Sequence, residues 1–166
     1  IAFSLVSGVK VYGGFAGGET LLSQRNVSAN TVTLSGDIGA VGVTTDNCYH
    51  VVISSGNNGI TLLDGVSISS GNANASVAVP VITVNANLIN PKYGGGLYKV
   101  SSATDITDCT IRRNEAVLSG GGIYEFSSSS SAHYSNCTIT QNISAGDGGG
   151  LHITLSGSVF ENCTIS

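Results

Sequence analysis

Apolar residues along this chain fall in short runs that alternate with polar ones at a period of two, as expected of strands whose two faces meet different surroundings. Val9-Lys10-Val11-Tyr12, Thr31-Val32-Thr33-Leu34, His50-Val51-Val52-Ile53, Ile60-Thr61-Leu62-Leu63, Val66-Ser67-Ile68 and Val81-Ile82-Thr83-Val84 are β-branched runs bounded by Gly, Asn, Asp or Ser, and each predicts a strand. No stretch of ten or more residues keeps an i, i+3, i+4 apolar pattern. Repeats that contain helices are therefore disfavoured.

The second half of the chain repeats itself. Gly94-Gly95-Gly96-Leu97-Tyr98 recurs as Gly120-Gly121-Gly122-Ile123-Tyr124 and as Gly148-Gly149-Gly150-Leu151-His152, at intervals of 26 and 28 residues. In step with it, Asp108-Cys109-Thr110-Ile111 recurs as Asn136-Cys137-Thr138-Ile139 and Asn162-Cys163-Thr164-Ile165. Ile111 to Ile123 and Ile139 to Leu151 both span 12 residues, whereas Ile123 to Ile139 spans 16 against 14 in the equivalent arms. The extra pair falls in the arm holding Ser127 to Ser131, a serine run with no apolar anchor. Strands pinned by stacking, with only loops free to lengthen, are the mark of a solenoid.

Short strands at this period predict an all-β fold, a right-handed parallel β-helix of about 26–28 residues per turn. Alternation then assigns faces. Cys109, Cys137 and Cys163 form one inward column, Ile111, Ile139 and Ile165 a second, and Leu97, Ile123 and Leu151 a third. Tyr98, Tyr124 and His152 point outward, and the glycine triplets mark a bend. Residues 1–93 read as irregular turns and 94–166 as regular ones of a single segment, roughly six turns and on the order of 30 Å tall. The alternation is already running at Ile1 and the chain stops inside an apolar run. The expectation is a fragment of a larger protein.

Composition agrees with this picture. Of 166 residues, 24 are Ser, 14 Thr, 14 Asn and 23 Gly, types that favour turns over helix. Hydrophobic residues at 41% and a net charge of −4 argue against disorder. Six Lys and Arg without a basic run argue against a nucleic-acid or anionic-membrane surface, and with no apolar stretch near the roughly 18 residues of a membrane-spanning helix no direct membrane insertion is expected.

Chemistry is sparse. Stacked cysteines would bring Cα atoms within disulfide range, but three in register read better as small apolar core residues, with Cys48 unmatched. No Cys or His spacing suggests zinc, and no cofactor is expected. Asp37, Asp46, Asp64, Asp105, Asp108 and Arg112-Arg113 are the candidates for polysaccharide chemistry. Asp105 and Asp108 fall on opposite faces of a strand, Asp37 and Asp64 sit in turns where Asp caps its own backbone, and the arginines fill a variable pair, so no active site is expected. Asn114 and Asn142 recur at one corner, as an amide ladder between turns would. His50, His133 and His152 share no position in the repeat. The outward Tyr98, Tyr124 and His152 form a ring-bearing stripe suited to sugars. Thr31-Val32-Thr33 lacks the turn-by-turn repetition of a flat ice-binding array, and the five Asn-x-Ser/Thr sites follow from composition.

These motifs resemble the polymorphic outer membrane protein repeat of bacterial surface proteins, which has a Gly-Gly-small-aliphatic motif and a Phe-x-x-Asn motif. Gly121-Gly122-Ile123 is similar to the first. Ile111-Arg112-Arg113-Asn114 and Ile139-Thr140-Gln141-Asn142 are similar to the second, with Ile for Phe. The segment from Gly8 to Thr20, with Gln24-Arg25-Asn26, Leu34 to Ile38 and Leu63 to Ile68, is similar to the opening region of large secreted β-helix proteins. The resemblance implies a structural or adhesive segment of a secreted or cell-surface, outer-membrane-associated protein, not an enzyme. Its partner would be a protein or glycan on a cell surface, met by loops such as Ser127 to Ser131 and Ala86 to Tyr93. Alternatives are an extracellular filament built by end-to-end stacking, or a carbohydrate-binding or carbohydrate-degrading β-helix whose active turns lie elsewhere.

Overall fold

A computed structural model describes residues 2–58, 60–76, 78–128 and 132–166. The chain is a parallel β-helix. One face stacks Phe3–Ser4, Val52–Ser55, Leu97–Val100, Ile123–Phe126 and Leu151–Thr154. A second stacks Lys10–Tyr12, Leu62–Asp64, Asp105–Thr107, His133–Ser135 and Val159–Glu161. The third stacks Val32–Ser35, Val66–Ser69, Thr110–Arg112, Thr138–Thr140 and Thr164–Ile165. Between the third face and the next turn, Asn72–Ala73, Glu115–Ala116 and Ile143–Ser144 pair as a short fourth ladder.

Register follows the repeat. Leu97 pairs with Val52 and Ile123, and Ile123 with Leu151; Ile68, Ile111, Ile139 and Ile165 form one column. Thr138 N–H donates to the Cys109 carbonyl and Thr164 N–H to that of Cys137, both at 2.9 Å, so the three cysteines stack as well. With Leu63, Ile106, Tyr134 and their neighbours these columns make one continuous core, except that Ile165, expected inside, is 50% exposed because no turn stacks on the last rung. Tyr134 and Phe160 stack face to face inside it, 4.4 Å apart.

The wall turns by left-handed residues that also stack. Gly56, Ser101, Ser127 and Leu155 close the first face with φ of 47–60°. Gly65, Asp108, Asn136 and Asn162 separate the second from the third, and Ser70, Arg113 and Gln141 end the third. Asn and Asp tolerate this conformation better than most side chains, which accounts for the Asp/Asn that precedes each repeated cysteine. The glycine triplets answer a different need. A Cβ on Gly122 would come 2.5 Å from the Gly150 carbonyl oxygen and 2.7 Å from Asn142 Nδ2, so the wall and the corner amide fit together only without it.

Five turns form among the described residues, not six. Val81-Ile82-Thr83-Val84 is no rung: Ile82–Val84 pairs antiparallel with Asn87–Ile89 through Asn85-Ala86, both at positive φ, the geometry of a type I′ hairpin. This flap, and the insertions at 14–31 and 37–47, lie outside the ladder. Length spent on them is lost to the count of turns, and the stack is about 20 Å tall at strand spacing.

Candidate functional site

The aromatic stripe forms but is partly covered. Tyr98, Tyr124 and His152 align in register, with Tyr98 and Tyr124 rings 5.2 Å apart and Tyr124 stacked on His152 at 5.4 Å. Tyr98 corrects the sequence-based expectation of an exposed ring. The flap lies over it, its hydroxyl donates to the Leu88 carbonyl at 3.4 Å, and it packs with Ile53, Ile89 and Val100 in a second apolar cluster. Burial pushes its phenol up to about 12. Segment 86–93 is likewise no free loop: Asn87–Ile89 is a flap strand, with Ile89 fully buried. Of the serine run 127–131, residues 129–131 lie outside the described residues. Tyr93, Tyr124 and His152 remain half-exposed, with Tyr93 4.7 Å from Tyr124.

His50 closes the buried end of this stripe, its ring 5.2 Å from Tyr98. Nδ1 lies 3.0 Å from the Gly94 carbonyl, which accepts only and so fixes Nδ1 as the protonated nitrogen. Burial lowers the pKa to about 4. An apolar cavity of about 290 Å³ opens beside it, between the flap and Ala2, Ser4 and Ile53.

A second depression follows the corner between the second and third faces. It is a groove of about 500 Å³, bounded by Val27, Ser28 and Thr31 of the first long insertion and floored by Ser67, Asp108, Thr110 and Asn136. Ser67 is 5% exposed and its hydroxyl has no partner among the described residues. Asn136 Nδ2 donates to Asp108 Oδ1 at 3.1 Å, and Asn162 Nδ2 to Asn136 Oδ1 at 3.4 Å. Register adds an outward hydroxyl column of Thr33, Ser67, Thr110, Thr138 and Thr164. The repetition that single Thr-x-Thr motifs hide is thus present. The insertion overhangs it and Arg112 interrupts the neighbouring column, so the face is not a flat threonine array.

Arg25 holds that insertion in place. Its Nη2 donates to Asp64 Oδ2 at 2.7 Å, it lies 3.9 Å from Asp108, and its guanidinium stands over the Tyr12 ring. Hydrogen bonding to Asp64 raises its pKa further. Asp64 therefore anchors a loop and does not cap its own turn. Asp37 and Asp46 accept backbone N–H groups of Gly42 and Ala40, and Asp105 accepts that of His133.

Inside the wall, Cys109 and Cys137 are buried, Cys163 is half-buried, and all four thiols are free. Burial pushes Cys109 and Cys137 up to about 12, which keeps them protonated and inert. Asn114 and Asn142 make the corner ladder. Asn114 Oδ1 accepts the Gly71 N–H at 2.9 Å while Nδ2 donates to the Ile68 carbonyl at 3.1 Å; Asn142 Oδ1 accepts the Asn114 N–H and its Nδ2 reaches the Ile111 carbonyl.

Lys99 and Glu125 escaped the sequence reading. Both are fully buried, on adjacent turns of one inward column, and Nζ lies 3.5 Å from Oε2. The only signal was a charged residue at the third position of Leu-Tyr-Lys-Val and Ile-Tyr-Glu-Phe, an inward position by alternation from Leu97 and Ile123. Among the described residues no group of His, Cys, Asp and Glu gathers as a metal site would require.

The chain matches no family model, no curated protein and no solved structure.

Proposed function

We propose that this chain is a structural and adhesive segment of a secreted or cell-surface β-helix protein, related to the polymorphic outer membrane protein repeat, and that it meets a glycan through its outer corner groove. The observation that carries the reading is the groove itself: a buried hydroxyl with no partner among the described residues, beside a carboxylate, an amide and further hydroxyls, over an in-register wall. Neutral sugars present many hydroxyls that both donate and accept, and Ser67, Asp108, Thr110 and Asn136 supply complementary groups at fixed spacing. The half-exposed pair Tyr124 and His152 offers ring faces of the kind on which sugars stack. Thiols kept protonated in the core and carboxylates occupied with backbone and arginine suit a scaffold better than a catalyst.

The test is binding of the purified chain to an array of bacterial and host glycans, followed by calorimetry on any sugar retained. Asp108→Ala and Asn136→Ala should each weaken retention about tenfold, as loss of one or two polar contacts does, with Tyr124→Ala separating the stripe from the groove. Absence of binding to any glycan, or binding untouched by the groove variants, overturns the assignment.

A further inference from the structure

The strongest unused chemistry lies inside the wall. Ser54, Lys99, Glu125 and Ile153 share one inward column, and its two charged members touch where the third turn meets the fourth. Lys99 Nζ has no hydrogen-bond partner among the described residues. Glu125 Oε2 lies 3.5 Å from it, and it stands 4.8 Å from the Tyr134 ring centroid. An ammonium has three N–H donors and no acceptor of its own, so a charged Lys99 would leave donors stranded in a dry interior. Burial accordingly lowers the Lys99 pKa, against the opposing pull of Glu125. Burial thus biases the nitrogen toward the neutral amine, whose lone pair is free.

Glu125 is held in the opposite manner. Tyr134 Oη donates to Oε2 at 2.6 Å, and the Ser156 and Ser158 hydroxyls both donate to Oε1. Donors on both oxygens withdraw electron density from Cδ, and they are aimed where charge would gather in a tetrahedral adduct. Nucleophile and electrophile are fixed on adjacent strands by the same ladder that sets the register, which removes the entropic cost of bringing them together.

We propose that Lys99 and Glu125 condense into an intramolecular amide, a covalent staple between the third and fourth turns. The Nζ lone pair forms a bond to Cδ, and one Cδ–O bond breaks. Oε2, held by Tyr134, stays as the amide oxygen. Oε1 departs as water, taking two of the three exchangeable protons that the pair shares, with the serine hydroxyls as the proton path. Ammonium plus carboxylate and amine plus acid have the same composition, so the balance needs no oxidant, reductant or co-reactant. The product replaces two buried ionisable groups with one neutral amide.

Intact mass of the denatured full chain decides the matter. The expected value lies one water below the sequence mass, and a protease digest should yield a branched peptide joining the segment around Lys99 to that around Glu125. Lys99→Arg should restore the full sequence mass and remove the branched peptide; Glu125→Gln should still close, with loss of ammonia in place of water. A wild-type chain of full sequence mass overturns the proposal. So does a water deficit that persists in Lys99→Arg, as a succinimide at an aspartate would leave. The wild-type spectrum stands alone if either variant fails to fold.

Discussion

Asn114 shows how much one side chain can carry. It is fully buried, and its amide ties the Gly71 N–H and the Ile68 carbonyl of the turn before it to its own turn. Alanine there leaves backbone groups without partners in a dry corner, at about 1–3 kcal/mol for each group stranded. Asn114→Ala should therefore cost about 3 kcal/mol by denaturant unfolding. Asn162→Ala, which loses one exposed 3.4 Å bond and sets alanine at a left-handed corner, should cost less, about 1 kcal/mol, nearly all of it from the backbone. His50 makes the pH-dependent counterpart. Its folded pKa of about 4 lies below the ordinary value, so between about pH 6.5 and 4 the unfolded chain binds a proton that the folded chain does not. Stability attributable to His50 is complete above that window and falls as pH drops through it, by roughly 3 kcal/mol. Comparing unfolding midpoints of wild type and His50→Gln across the window checks this: the variant should show the shallower slope. Asn114 was legible in sequence because its motif repeats in step with the cysteines. Lys99 and Glu125 were not, because their column changes residue at every turn and leaves no period to find.

At the scale of elements, insertions decide what the repeats display. The hairpin Ile82–Val84 and Asn87–Ile89 occurs once, carries strand-like alternation of its own, and folds onto the outer face of the first sheet. A ladder pattern alone therefore makes Tyr98 an outward ring, and only the flap makes it a core residue. Replacing residues 79–90 with a short Gly-Ser link should leave the far-UV spectrum of the ladder in place while releasing Tyr98. Its phenol, held at about 12 by burial, should then return toward the ordinary tyrosine value near 10, raising the phenolate fraction at neutral pH about 100-fold. Nitration mapped by peptide mass reads this directly: rapid modification of Tyr98 is expected only without the flap. Equal protection in both proteins would show that the flap does not cover the ring.

Across the whole molecule, the architecture was readable from residues 94–166 because identical motifs at 26 and 28 residues leave few ways to stack. The count of turns was not. Residues 14–31, 37–47 and the flap add length without adding rungs, and nothing in their composition separates such excursions from strands. The cavity beside His50 and the groove over Ser67 were hidden for the same reason, since each is enclosed between an insertion and the wall. The direction of the hydrogen bonds has a mechanical consequence. In all three faces they run from turn to turn, along the axis, so a pull applied between the ends loads them lengthwise and one rung at a time. A ladder loaded in this way opens like a zipper, at the force one rung resists, whatever the number of rungs behind it. A bond between Lys99 and Glu125 would stop the tear at the third turn, and the wall beyond it would bear tension as a single piece.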